Sequence, residues 1–209
     1  APKSMQRRKS YIIKHFGAGG DRLLGGENLL ELLAYHVFKN NEAVLRQNNV
    51  QFVQHPEGEK YCGLFEGGEA LISDSQQAKF NQKQLVEELR PLWYGEAFDK
   101  EKIKLNLLDT NGQSVTLDLE IVVEELVALI RRRIDSGVEN FFEAMDKAVT
   151  EEVAEGVNEI HIFLAGNSSK SKVVLESFAD FQEKYKNTFC KKLHIEVKEE
   201  KKKEKEAEE

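Results

Sequence analysis

Gly17-Ala18-Gly19-Gly20-Asp21-Arg22-Leu23-Leu24-Gly25-Gly26-Glu27-Asn28 is the stretch whose reading decides the fold. It follows Ser10-Tyr11-Ile12-Ile13-Lys14-His15-Phe16, a β-branched and aromatic run that reads as a strand. Gly25-Gly26-Glu27-Asn28 opens a helix whose stripe is Leu29, Leu30, Leu32, Leu33, His36 and Val37, and which stops near Lys39-Asn40-Asn41. Glycine at such a junction lets a backbone approach a ligand, and a helix N-terminus favours anions. A second junction, Ile160-His161-Ile162-Phe163-Leu164-Ala165-Gly166-Asn167-Ser168-Ser169-Lys170, lies near the other end. Its apolar run over 159–164 reads as a strand buried on both faces, followed by a helix over 170–187. Either turn alone is an ordinary strand–helix connection. Two in one α/β unit point to a nucleotide held between them.

The intervening sequence is less regular. Val50-Gln51-Phe52-Val53 suits a short strand, and residues 42–75 otherwise give no firm element. A helix is expected over 76–93 on Phe80, Leu85, Leu89 and Trp93, with Pro91 near its end, where it does least damage. The runs 103–107 and 114–117 flank Asp109-Thr110-Asn111-Gly112, a strong hairpin signal. A long helix follows over 120–149, with Val122, Leu126, Leu129, Ile130, Ile134, Val138, Phe141, Met145 and Val149 in helical period and a bend expected at Gly137. Lys192-Leu193-His194-Ile195-Glu196-Val197 reads as a last strand, and 198–209 as a charged, poorly ordered tail. The order is α/β with an inserted α+β part.

With 209 residues, 40% hydrophobic and 32% charged, the chain can bury a real core and reads as soluble. A net charge of −7 argues against a general nucleic-acid surface. No apolar run approaches the length of a membrane span. The basic start, without Met at position 1, leads to the expectation of a piece cut from a longer protein. Cys62 and Cys190 form no Cys-x-x-Cys pair and read as idle thiols of a reducing compartment. The dispersed histidines give no metal-ligand spacing, and no phosphate-binding P-loop or nucleophile elbow is present. Arg131-Arg132-Arg133 reads as surface or as an ion-pair cluster between subdomains.

Together the two glycine segments resemble the second lobe of the actin-like ATPases, most closely the seventy-kilodalton heat-shock chaperones of DnaK type. In that family a Gly-Asp-x-x-Leu-Gly-Gly-Glu segment opens a helix, and Gly20 through Glu27 is similar to it. A later Leu-x-Gly-Gly-Ser-x-Arg segment lines the adenosine, and Phe163 through Ser169 is similar but degenerate. There Ala165 stands for the first glycine, Gly166 is kept, and Asn167 replaces the serine. The family's adenine-stacking arginine falls at Ser169, with Lys170 beside it. The resemblance spans about residues 9 to 190, with the middle poorly matched.

The resemblance implies an actin-like ATPase (ribonuclease H-like) lobe. Its inner α/β subdomain would be 9–41 plus 135–197, and its inserted outer α+β subdomain 42–134. Gly25 and Gly26 match the paired glycines, the second of which approaches the nucleotide. The family's Glu-x-x-Lys pair grips the adenosine from an outer helix, and Glu87 and Arg90 in Glu87-Glu88-Leu89-Arg90-Pro91 are similar to it; a surface salt bridge is the alternative reading. Gly166, Asn167, Ser169 and Lys170 would face the adenosine. The implied cofactor is ATP or ADP, with Mg2+ only in the full-length protein. The implied partners are a missing first lobe, nucleotide-exchange proteins and co-chaperones in the cytoplasm, without nucleic acid or membrane. No catalytic or metal residue is expected in this chain, because phosphate, metal and water are positioned by parts it lacks. The alternatives are a non-enzymatic interaction scaffold, or half of a sugar kinase or cell-shape protein of the same superfold.

Overall fold

The computed structural model describes residues 20–165 and 171–194. Helix α1 (Gly26–Asn40) is at its centre, because its apolar positions cover most of its circumference: Leu29, Leu30, Leu32, Leu33, Tyr35, Val37 and Phe38 are all buried. Glu27 in its first turn and Lys39 in its last complement the helix dipole. A short α2 (Glu42–Gln47) follows, then α3 (Gly58–Cys62) and a single 3-10 turn at Gly68–Ala70. The expected strand at 50–53 is reduced to two isolated bridges. Val50 meets Asp109, and Phe52 meets Ile72. Phe52 stacks on Phe38 with ring centroids 5.2 Å apart, which seats this irregular stretch on α1.

Helix α4 (Gln76–Trp93) matches the expected span, and its Ser75 cap accepts a hydrogen bond from the Ala78 N–H at 3.2 Å. Strands β1 (Lys102–Leu108) and β2 (Ser114–Glu120) pair antiparallel, with Leu105 opposite Leu117. The hairpin alternates: Ile103, Leu105, Leu107, Leu117 and Leu119 face the core, each burial contributing about 1.5–3 kcal/mol. Asp109 closes its turn. The Asp109 carboxylate accepts the Asn111 and Gln113 N–H groups at 2.9 and 2.8 Å, and Gly112 takes the φ of 79° that other residues resist.

Two buried asparagines fasten the hairpin to the helices. Asn81 of α4 donates to the Gln51 and Leu108 carbonyls and accepts from the Leu108 N–H at 2.7–2.9 Å. Asn41, just after α1, donates to the Val37 and Glu120 carbonyls and accepts from the Glu120 N–H at 2.8–2.9 Å.

The long α5 (Val123–Ala148) passes beneath α1 and pairs with α7 (Lys172–Lys192) through aromatic rings; a one-turn α6 (Glu151–Ala154) lies between them. Phe142 lies 5.3 Å from the Tyr185 ring and 6.1 Å from that of Phe181. Gly137 has a packing role. It is buried within α5, where a Cβ would overlap Leu24 Cδ2.

Two expected strands are corrected. Residues 159–164 form no ladder, and Phe163 is 89% exposed, because an Ile-His-Ile-Phe run needs strands at its edges and the one strand pair among the described residues is β1–β2. Lys192 ends α7, with Leu193 and His194 in a turn, so the strand expected over 192–197 does not begin there; 195–197 lie outside the described residues. The first expected strand and the charged tail also lie outside them. Among the described residues the architecture is mixed α and β, mostly helical, with one small antiparallel sheet. No described helix is long and apolar enough to cross a membrane.

Candidate functional site

The turn Asp21 to Gly25 delivers the chain to the start of α1. The Asp21 carboxylate accepts the Leu23 N–H at 2.9 Å, and the Gly25 carbonyl accepts the first helical bond, from Leu29 at 3.0 Å. The N–H groups of Gly26, Glu27 and Asn28 are therefore left without helical partners, as at any helix start. Gly25 has φ −71° and ψ 149°, a conformation any residue adopts. A Cβ there would meet Asn28 Nδ2 at 3.5 Å, an ordinary contact. Neither strain nor crowding within the fold demands a glycine at this position.

Glu87 and Arg90 stand one turn apart on α4 and form the expected ion pair, Nη2 to Oε1 at 2.8 Å. Arg90 also reaches α1. Its Nη1 and Nη2 donate to the two Glu27 oxygens at 2.6 and 3.2 Å. The guanidinium is thus held between two carboxylates, one from each helix. The Glu27 hydrogen bond, then that of Glu87, holds Arg90 in its charged form, and Arg90 in turn holds both carboxyls below their usual range. The sequence pattern identified the pair on α4 but not its third member. Glu27 ends the Gly20–Glu27 motif, yet nothing in one-dimensional spacing links it to Arg90, 63 positions on.

Beside this triad runs a groove of about 610 Å3 between α1, α4 and residues 53–56. Glu27, Glu31, Lys79, Lys83 and Glu87 line its walls, and buried His55 its floor. Burial and neighbouring Glu27 push the Glu31 carboxyl up, and burial pushes the His55 imidazole down, toward its neutral form. Carboxylates, ammonium groups and a neutral imidazole suit a ligand rich in hydroxyl and amine hydrogen bonds.

Gly166, Asn167, Ser169 and Lys170 lie outside the described residues. The helix they would precede, α7, is fastened to α5: Ser177 Oγ donates to Asp135 at 2.5 Å, and Arg131 donates to Asp180 at 2.6 Å. Two residues from Arg131, Arg133 donates to Asp21 at 2.7 Å. Two of the three basic residues, Arg131 and Arg133, are therefore ion-paired, Arg132 donates to the Tyr61 carbonyl at 3.1 Å, and Arg133 is fully buried. The sequence marks Arg133 as part of the basic triplet and Asp21 as part of the glycine motif, but not the burial of Arg133 or its second partner, Glu57. The available signal was that Arg133 shares the apolar stripe of Leu126, Leu129 and Ile130. No family model matches the chain, and neither a curated protein nor a solved structure matches it.

Proposed function

We propose that this chain is the nucleotide-binding lobe of a chaperone-like ATPase, on an actin-like fold, taking the adenosine side of ATP or ADP when paired with a first lobe. One observation carries the reading. Residues nominated from two distant motifs, Gly25-Gly26 and Glu87/Arg90, lie side by side, bridged by Glu27 and Arg90. Two further features support it. Gly25 is a glycine that the fold does not require, as expected where a ligand and not the protein comes close. The stretch Arg131 to Asp135 fastens both the first glycine turn, through Asp21, and the front half of α7, through Ser177 and Asp180.

In this reading the Glu87 and Glu27 carboxylates accept from the ribose hydroxyls, and Arg90 lays its planar face along the sugar or base. The free N–H groups at the start of α1 face the phosphate side. Phosphate, Mg2+ and the attacking water are positioned by the partner lobe, so this chain alone turns over no ATP. The working compartment is the cytoplasm, with exchange factors and co-chaperones as partners.

The saturation of Arg90 by two carboxylates favours one rival, a scaffold that has kept the lobe and lost the ligand. Titration of the 15N-labelled chain with ADP separates the two. The proposed function gives perturbations centred on residues 25–27 and 87–90, at millimolar affinity, about −4 kcal/mol. Arg90→Ala abolishes them. Perturbations scattered over the surface, or none up to solubility, favour the scaffold.

A further inference from the structure

Arg133 is a charged residue in an apolar place. It has no exposed surface, and a lone buried guanidinium is costly. Its Nε donates to Glu57 Oε2 at 2.6 Å, and its Nη2 donates to Asp21 Oδ2 at 2.7 Å. The guanidinium lies over the Tyr61 ring, 5.5 Å from its centroid. Nη1 has no partner among the described residues. A buried ion-pair group of this kind is seldom more stabilising than apolar residues of the same volume. What it supplies here is direction. The other Asp21 oxygen accepts the Leu23 N–H, so Arg133 holds the turn itself and not merely a side chain. One turn along α5, Leu24 rests on the bare backbone of Gly137. Arg133 and Gly137, four residues apart on one helix face, together grip the turn that leads to Gly25.

We propose that Arg133 is the positioning residue of the glycine turn, setting from α5 the path of residues 21–25 and so the aim of the N–H groups that open α1. Its consequence for nucleotide binding rests on the function proposed above; its effect on the turn does not.

The test uses amide hydrogen exchange in the whole chain. The reporters are the N–H groups of Leu23, Leu24 and Leu29, which bond to Asp21 Oδ1, the Asp21 carbonyl and the Gly25 carbonyl. Arg133→Lys keeps the charge but loses the fork that spans two carboxylates. Asp21→Asn keeps an acceptor for Leu23 but turns an amide NH2 toward Arg133, removing the ion pair and its hydrogen bond. Both variants should speed exchange at the three reporters by about tenfold while leaving Leu85 and Leu89 in α4 within twofold of wild type. Glu57→Gln should act instead on the Gly58 and Tyr61 amides. Equal acceleration at the reporters and in α4 would show a merely structural residue and overturn the proposal, as would unchanged reporters. Where ADP perturbs the wild-type chain, Asp21→Asn should weaken that response about tenfold. An exchange pattern as expected in a chain that ADP never perturbs would uphold the positioning role and reject the nucleotide reading.

Discussion

Asn41 and Asn81 each bind one end of the hairpin, at Glu120 and at Leu108, and both are buried polar residues. Neither carries a sequence signal of this role. Asn41 reads as a helix stop, and Asn81 follows the apolar Phe80, which is in fact 40% exposed. Replacing Asn81 with Leu leaves the Gln51 and Leu108 carbonyls and the Leu108 N–H without their bonds. Urea unfolding should register a loss of about 2–4 kcal/mol. Gly58 is a further residue without slack, for a Cβ would stand 2.6 Å from the Tyr35 ring, which is itself buried. Gly58→Ala should cost about 1–3 kcal/mol by the same assay, through overpacking. Asp21 adds a pH dependence. Burial would raise its carboxyl, but the Leu23 N–H and Arg133 outweigh it and, with Lys60, hold the group below the usual aspartate range. Glu57 faces it across Arg133. A lowered folded-state value means that its stabilisation is complete above about pH 4 and is lost as pH falls through the lower value. The gap in urea midpoint between wild type and Asp21→Asn should therefore be open at neutral pH and close on acidification below pH 4. A gap independent of pH would contradict the assignment.

At the scale of elements, helical period located α1, α4 and α5 to within a few residues, because each buries a continuous apolar face, whereas α7 runs on to Lys192, past the helix expected over 170–187. It was less reliable on which of two neighbours points inward. On α5 the periodic choice was Phe141, but Phe142 is the buried ring and Phe141 is 39% exposed. A period of 3.6 lets adjacent aromatic residues exchange places at little cost to the pattern, and the position of α7 decides between them. Phe142→Ala should cost about 3–5 kcal/mol and Phe141→Ala about 1 kcal/mol in chemical denaturation. A reversed order would mean that α5 is rotated from the register described. The hairpin was legible because alternation and turn chemistry agree, with Asp109 adding its own two hydrogen bonds. Residues 159–164 misled for the opposite reason. Apolar density indicates what a segment can pack against, but strand pairing depends on edges that lie elsewhere in the chain.

For the whole molecule, the candidate site was legible in its parts and hidden in its assembly. Gly25, Gly26, Glu87 and Arg90 are visible as motifs. Glu27, Arg133 and Glu57 join them only through contacts between residues 63 to 112 positions apart. The chain also contains its own reporter of motion. Cys62 ends α3, and the Lys39 ammonium at the end of α1 donates to its carbonyl. Burial pushes its thiol up to about 11, so in the closed molecule it carries roughly a hundredfold less thiolate than an ordinary cysteine at mild alkaline pH. Iodoacetamide should therefore label Cys62 much faster when α3 lifts from α1. Mass spectrometry of the alkylated peptide over time, at urea concentrations below the unfolding midpoint, would turn that rate into the free energy of a local opening. If a ligand in the groove between α1, α4 and residues 53–56 steadies α3, which follows directly in the chain, the labelling should slow in its presence, a chemical readout of occupancy that needs neither turnover nor a tagged nucleotide.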